Sequence, residues 1–197
     1  MRNFLSSVLL LGAATSFLGA QAPPAKNSNE GAPTNHLEIA VKYDASRANS
    51  SGNSGFWMQG GSVQAEGRLF RGLGAVADVS GQHTGNIDGS GVGLDMVTAT
   101  IGPRYTWQPT RYRRYAFLGQ ALIGEANGFN STFPKMSGAE SRAHSLALKI
   151  GCGMNYTFSR RFAMRAFEAD WLRTQLPNSA DGVQNSLHLS AGIVYRF

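Results

Sequence analysis

One histidine and one serine are spaced so that they could carry out nucleophilic chemistry together. His188 and Ser190 lie two residues apart, and the alternation of apolar residues around them indicates a β-strand. Residues two apart in a strand share a face, so the pair could form the base and nucleophile of a serine hydrolase. The neighbouring pair His144 and Ser145 would point to opposite faces and could not cooperate in this way.

Metal and cofactor chemistry has little support in the sequence. The four histidines are scattered along the chain, and the single cysteine, Cys152, has no partner for an internal disulfide. The glycine-rich segment from Gly89 to Gly93 leads into a predicted strand instead of a helix, which argues against a phosphate-binding loop. We therefore expect no metal site and no cofactor.

Charged side chains of both signs recur on one face of the predicted strands, among small and polar residues. Charges that are removed from water must pair or change their protonation, because desolvation is costly. We predict an interior network of paired charges that consists of Glu38, Lys42, Glu66, Asp78, Arg104, Lys149, Glu168 and Asp170, with Asp44, Arg68 and Arg165 beside them.

Eight predicted β-strands position these charges. Each has a two-residue period with one apolar and one polar face, which is typical of a half-buried strand. In the seventh strand, Arg165 and Glu168 can share a face only if a β-bulge lies near Ala166 and Phe167. The strands are expected at about residues 37–47, 58–70, 73–84, 94–107, 115–125, 143–158, 162–174 and 187–197.

Short turns and long loops alternate between the predicted strands. The turns after strands two, four and six are short, whereas loops of about residues 48–57, 85–93, 126–142 and 175–185 are longer. This asymmetry is typical of outer-membrane β-barrels, whose short turns face the periplasm. Aromatic residues gather where the apolar faces meet the short turns, as in an interfacial girdle. They are Tyr105, Trp107, Tyr115, Phe117, Tyr156, Phe158, Tyr195 and Phe197.

The start of the chain predicts export. Arg2 precedes an apolar run from Phe4 to Ala20, which is the pattern of a secretory signal peptide. We expect cleavage after Ala20, with Ala22 as the alternative. The tract that follows is rich in proline and asparagine and predicts a flexible linker. The expected organisation is therefore a signal peptide at 1–20, a linker at 21–35 and a β-barrel at 36–197.

The charge balance does not favour nucleic acid as a partner. Although the net charge is +6, most arginines fall near the predicted short turns, where they could meet the phosphates of inner-leaflet lipids. Charged residues make up only 15% of the chain, against about 25% in soluble domains. We expect lipid, and not nucleic acid, to be the main partner.

The predicted barrel region resembles the OmpA-like small outer-membrane β-barrel family, also described as outer-membrane β-barrel or porin-family proteins. The matching segments are the signal peptide, Gly102 to Tyr105, Arg165 to Trp171, and the ending from Ala191 to Phe197. The resemblance implies an all-β, eight-stranded, antiparallel up-and-down transmembrane barrel. It also implies that the barrel assembly machinery recognises the carboxy-terminal strand. The sequence ends at the barrel, so the peptidoglycan-binding domain of OmpA is not carried over.

Four functions remain open at this stage. The expected one is a non-enzymatic outer-membrane protein with a structural or surface-interaction role and an interior closed by its charge network. The alternatives are a small channel, an outer-membrane lipid A deacylase that uses His188 and Ser190, and a soluble lipocalin-like carrier. An interior that side chains roughly fill argues against wide diffusion of solutes through eight strands.

Overall fold

The computed structural model describes residues 37–49, 55–87, 92–135, 138–176 and 183–197. The predicted signal peptide and linker lie outside these residues. Within them the chain forms only β-strands and their connections, and no helix could cross a membrane. The strands are β1 (Leu37–Asn49), β2 (Gly55–Phe70), β3 (Leu73–Thr84), β4 (Leu94–Trp107), β5 (Tyr115–Lys135), β6 (Gly138–Thr157), β7 (Phe162–Thr174) and β8 (Gln184–Arg196).

The eight strands close into one antiparallel barrel. Each strand pairs with the next along the chain, and β8 pairs with β1 through a register that includes Ile39 with Tyr195. Closure leaves no unpaired edge around the wall of the barrel, which satisfies the backbone hydrogen bonds of every strand there. The predicted fold class, an eight-stranded antiparallel up-and-down barrel, is confirmed.

The two faces of the wall follow the predicted alternation. In β3, the side chains of Leu73 and Val79 are exposed on the outside, whereas those of Val76, Asp78 and Ser80 are buried in the interior. Successive side chains of a strand point to opposite faces, and the other strands show the same alternation of exposed and buried side chains. The result is an outer belt of exposed apolar side chains around an interior that is largely polar at its centre.

The predicted β-bulge in β7 is present. The register between β6 and β7 shifts where Met154 pairs with Phe167 and Asn155 with Arg165, which leaves Ala166 as the extra residue. Arg165 and Glu168 are consequently both buried, while Phe167 is exposed on the outer face. The bulge therefore brings two charged side chains of one strand into the interior three residues apart.

The predicted loop at residues 126–142 is wrong. β5 continues to Lys135 and β6 begins at Gly138, and the two strands pair with each other along this extension. The register becomes irregular between Phe129 and Phe133, where Asn130 has a φ of 56°. Outward positions of this segment include polar residues such as Asn127 and Arg142, so it lacks the outward apolar stripe from which the other strands were predicted. The predicted loop at 48–57 is also too long, since β1 and β2 extend to Asn49 and Gly55.

The polarity of the wall reverses at the end of the barrel that carries the long loops. There many of the inward side chains are apolar, whereas outward positions include Arg47, Gln59, His144 and Arg173, all exposed. Apolar side chains inside and polar ones outside are what water on the outer face would favour. The inward cluster consists of Ala48, Phe56, Met58, Leu94, Met96, Ala126, Phe133, Ala147, Leu172 and Leu176. A smaller apolar cluster of Ala40, Ala163 and Val194 lies at the other end.

Candidate functional site in the barrel interior

Glu168 is the centre of the interior charge network. The bulge in β7 directs its carboxylate inward, where it pairs with Lys42 from β1 and with Arg165 from its own strand. A third cation, Arg104 from β4, lies 3.4 Å from the same carboxylate. The side chain of Glu168 is fully buried. One buried anion is therefore compensated by three cations, which a carboxylate removed from water requires.

Asp78 forms the second centre of negative charge. Its carboxylate lies 2.6 Å from Lys149 Nζ and 3.3 Å from Lys42 Nζ, and it accepts a 3.2 Å hydrogen bond from the amide of Gln64. Lys42 thus connects Asp78 with Glu168. Both lysines are buried, so neither charge could persist without such partners.

Arg104 gathers neutral and charged acceptors. Its guanidinium lies 2.9 Å from Glu66 and 2.5 Å from the side-chain oxygen of Gln64, and it also donates to Gln120. Gln64 accepts a second hydrogen bond, 2.6 Å long, from Arg165. The glutamines therefore link charged groups that do not meet directly. Their position on the polar face was predicted from the sequence, but the bridge that Gln64 forms between two arginines was not.

A separate ion cluster lies at the end of the barrel that carries the short turns. Glu38 is buried and its carboxylate lies 2.6 Å from Arg68 and 2.8 Å from Arg196. Arg196 also donates a 2.9 Å hydrogen bond to Thr157. These contacts join β1, β2, β6 and β8 and close this end of the interior around one carboxylate.

Two predicted interior acids are held by neutral side chains. The amide of Gln120 donates a 2.7 Å hydrogen bond to Asp170, and the hydroxyl of Ser62 donates a 3.1 Å hydrogen bond to Asp44. Both carboxylates are buried. The structure therefore places Asp170 inside the barrel beside the network, bonded to an amide and not within the ion pairs that surround Glu168 and Asp78.

His188 and Ser190 both point into the interior. His188 Nδ1 lies 3.2 Å from the amide nitrogen of Gln82. The amide oxygen of Gln82 accepts a 2.8 Å hydrogen bond from the hydroxyl of Ser46. The pair is buried, away from the outer apolar belt. The neighbouring His144 is exposed on the outer face. In the part of the chain that the structure describes, no three metal-ligating side chains come together.

The predicted aromatic girdle lies on the outer face near the short turns. Ring centroids are 5.7 Å apart for Trp107 and Phe117 and 4.8 Å apart for Tyr195 and Phe197. Tyr115 and Tyr156 form another pair at 5.2 Å, and Phe158 is exposed beside this end. Arg114, in the turn after β4, donates a 3.4 Å hydrogen bond to the Tyr156 hydroxyl, which raises the pKa of Arg114. The eight residues thus share one end of the barrel.

A surface cavity lies at the opposite end, on the extension of β5 and β6. Its volume is about 350 Å³, and it is lined by Asn127, Gly128, Phe129, Arg142, Ala143 and His144. Asn127 pairs with His144 and Phe129 with Arg142 across the two strands. The hairpin therefore presents an aromatic ring and two basic side chains together.

Comparison with known proteins gives a likeness in structure alone. No protein-family model and no curated protein matches the chain. Neisserial surface protein A has a TM-score of 0.61 at 15% identity, over 82% of this chain and 97% of that one. The attachment invasion locus protein Ail of Yersinia pestis has a TM-score of 0.53 at 17% identity, over the same 82% and 97%. The outer membrane protein OprG of Pseudomonas aeruginosa has a TM-score of 0.51 at 10% identity, over 82% and 95%. At these identities the likeness establishes the fold: this chain has the closed eight-stranded barrel of small outer-membrane proteins.

Proposed function

We propose that the chain is a non-enzymatic integral outer-membrane β-barrel with a structural or surface-interaction role and a closed interior. The observation that carries the proposal is the pairing of an exposed apolar belt with an interior that ion pairs and an apolar cluster occupy. Val41, Val63 and Ile101 on the outer face are each more than half exposed, as lipid-facing side chains would be. A water-soluble carrier would instead leave an apolar patch of unusual size in contact with water.

Closure of the interior is supported by ion pairs that cross it. The pair between Lys149 and Asp78 joins β6 to β3, and Lys42 joins β1 both to β3 and to β7. These strands are not neighbours in the barrel, so the bonds run across the lumen and not along its wall. The apolar cluster around Phe133 and Leu176 fills the end above them. An ion would have to pass both layers.

Outer-membrane location and its partners belong to the same proposal. The predicted signal peptide would direct export, and the barrel assembly machinery would recognise the closing strand β8 with Phe197. Outer-membrane lipids would surround the apolar belt, with the short turns on the periplasmic side. The fold shared with Ail, Neisserial surface protein A and OprG supports this assignment.

The hydrolase alternative is weakened by the direction of His188 and Ser190. An acyl chain of lipid A would approach the outer face of the barrel, whereas both side chains are buried inside. We therefore assign no catalytic residue.

Surface interaction is the more specific part of the proposed role. The β5–β6 extension displays Arg142, His144 and Phe129 around one cavity, which would suit an anionic ligand with a hydrophobic face. Ail has been solved in complex with the heparin analogue sucrose octasulfate. We propose that this hairpin is the part of the chain that contacts a surface partner.

Two measurements on one set of samples test the assignment. The refolded protein should give no stepwise current in a planar bilayer, and its expression should leave the acylation of lipid A unchanged by mass spectrometry. Stepwise currents would support the channel. Loss of an acyl chain from lipid A would support the deacylase if the variant Ser190→Ala abolished this loss and the matched interior variant Ser186→Ala did not. Either result would contradict the proposal.

A further inference from the structure

We propose that the end of the barrel with the short turns binds the phosphate groups of anionic phospholipids through a ring of exposed arginines. The ring, called here the arginine rim, consists of Arg71, Arg111, Arg113, Arg114, Arg160 and Arg161. The inference rests on the proposed membrane location and adds to it a lipid class and the side chains that select it.

The arginine rim carries one sign of charge. Its six arginines are distributed over all three short turns, at 71–72, 108–114 and 158–161, and these turns contain no acidic residue. Glu38 lies at this end of the barrel, but its carboxylate is buried and already paired with Arg68 and Arg196. The rim therefore presents net positive charge to whatever surrounds this end of the barrel.

Contacts with aromatic rings place the arginines at the edge of the apolar belt. The guanidinium of Arg71 lies 4.9 Å from the ring centre of Phe70, and that of Arg111 lies 5.8 Å from Tyr112. Arg114 is held by the Tyr156 hydroxyl at 3.4 Å. Aromatic side chains mark the level of lipid headgroups in membrane proteins, so these guanidinium groups lie where phosphates would be.

The turns that carry the rim are fixed by backbone hydrogen bonds. Thr106 donates to the carbonyl of Gly72 at 2.7 Å, and Thr157 donates to that of Arg114 at the same distance. Within the last turn, Ser159 donates to the carbonyl of Phe162 at 3.1 Å. A fixed turn presents its side chains without a large loss of backbone freedom on binding, which favours a ligand.

Arg71 occupies a position that its residue type does not suit. Its φ is 41° and that of the following Gly72 is 86°, so both central residues of the turn are left-handed. Such two-residue hairpin turns favour Asn, Asp or Gly, and a long side chain at the first position is strained. The turn itself disfavours an arginine there, although the guanidinium contacts the ring of Phe70 at 4.9 Å. The exposed cationic side chain of Arg71 is therefore available for an interaction outside the chain.

Phosphate is the group that this arrangement matches. Guanidinium binds phosphate through paired hydrogen bonds, and six arginines without a lysine favour that geometry over a diffuse charge effect. The rim follows three turns around the barrel instead of forming one compact face. A surrounding ring of lipid fits this distribution better than one protein partner. The chemistry therefore points to anionic headgroups such as phosphatidylglycerol.

The test measures which lipids stay bound to the refolded chain. Nanodiscs would contain equal amounts of phosphatidylethanolamine and phosphatidylglycerol at low salt, and native mass spectrometry would give the ratio of the two lipids retained. A triple variant, Arg71→Asn, Arg113→Gln and Arg161→Gln, removes half of the rim. The control, Arg47→Gln and Arg173→Gln, removes two exposed cations from the opposite end and leaves the β5–β6 cavity intact.

We expect the wild-type protein to retain phosphatidylglycerol in excess over the bulk ratio, and the rim variant to lose that excess. Each basic residue near a membrane surface contributes up to about fivefold at low salt, so the difference should be large. The control should keep the wild-type ratio. An unchanged rim variant, equal losses in the rim and control variants, or a wild-type ratio equal to the bulk would overturn the inference.

The single variant Arg71→Asn separates folding from lipid selection. Asparagine suits the left-handed turn, so the variant should fold as well as the wild type while its lipid ratio falls. If the triple variant fails to fold, the lipid ratio of the single variant Arg71→Asn tests the inference instead. A chain that does not insert into nanodiscs at all would contradict the proposed function, whereas insertion without enrichment would contradict only this inference.

Discussion

Lys149 shows how single residues hold charge inside this barrel. Its ammonium is buried and lies 2.6 Å from Asp78, which also interacts with Lys42. The sequence identified Lys149 and Asp78 as interior charges because both lie on the polar face of a strand. It could not identify them as partners, since β3 and β6 are not neighbours and their contact depends on the depth of each residue in the closed barrel. Alternation fixes the face of a residue, but only the registers fix its partner.

The variant Lys149→Met should destabilise the barrel by several kcal/mol. Loss of the ammonium leaves Asp78 with reduced compensation in the interior, and breaking a buried pair typically costs about 3–5 kcal/mol. The matched control is Arg142→Met, which removes an exposed cation from the long-loop end and should change stability by less than about 1 kcal/mol. Urea unfolding in lipid vesicles measures both. Equal stabilities would show that Lys149 is solvated, as it would be in an open pore.

Gly151 and Gly119 allow a comparison of the two faces at one position along the wall. A methyl group at Gly151 would come within 1.8 Å of an Asp170 carboxylate oxygen and 2.5 Å of the Ala169 carbonyl oxygen. A methyl group at Gly119, on the outer face of the paired strand, would meet nothing within 4 Å. We expect Gly151→Ala to cost about 1–3 kcal/mol through overpacking. Gly119→Ala should be neutral, or stabilising by up to about 1 kcal/mol.

The same urea titration in vesicles distinguishes the two glycine variants. A loss of stability in Gly119→Ala that equals the loss in Gly151→Ala would mean that lipid packs as tightly around the wall as the interior does. It would then contradict the crowded interior inferred from the contacts of Gly151.

At the scale of elements, the sequence predicted strands well where outward and inward positions differ in polarity. β3, β4 and β7 have the predicted bounds, and the bulge in β7 followed from the need to bury Arg165 and Glu168 together. The extension of β5 and β6 was missed because its outward positions include polar residues such as Asn127 and Arg142, so that no outward apolar stripe forms. Phe133 is buried at the long-loop end, where its ring lies against Gly128. Nothing in the local sequence indicates that the hairpin turns this side chain inward.

The closing strand leads to a prediction about assembly. The backbone N–H of Phe197 donates a 3.0 Å hydrogen bond to the carbonyl of Leu37, and its ring packs edge-on against Tyr195. Deletion of Phe197 removes both contacts at the seam between β8 and β1. We expect much less heat-modifiable barrel in the outer-membrane fraction and more protease-sensitive periplasmic protein.

Phe158→Ala is the matched control for that deletion. It removes another exposed aromatic side chain near the short turns, but one away from the seam. The control should assemble at close to the wild-type level. If the deletion also gives a normal yield of heat-modifiable barrel, the carboxy-terminal aromatic is not needed for insertion.

For the whole molecule, polarity changes along the barrel axis and divides the outer surface into three zones. Arginines and aromatics surround the short turns, apolar side chains such as Val41 and Ile150 form the belt, and Arg47, His144 and Arg173 follow above it. The interior changes in the opposite sense, from charged at the level of the belt to apolar around Phe56 and Met58. The sequence showed the belt through its alternation. The reversal of polarity at the long-loop end appears in the sequence only as short segments in which the inward positions are apolar, for example residues 56–59 and 94–96.

The zones predict the accessibility of three cysteines. Cys152 is exposed on the outer face of the barrel, but within the belt, between Ile150 and Met154. A membrane-impermeant maleimide should therefore fail to label it in folded protein in vesicles. Cysteines introduced into a Cys152→Ala background by Ser159→Cys, at a short turn, or by His144→Cys, above the belt, should label readily from whichever side is accessible. Rapid labelling of Cys152 at the rate of these two controls would place the belt in water, because lipid excludes the reagent. That result would favour the soluble carrier and would remove the basis of the membrane assignment. If Cys152 is protected while the two control cysteines label, lipid covers the exposed apolar belt, as the membrane assignment requires.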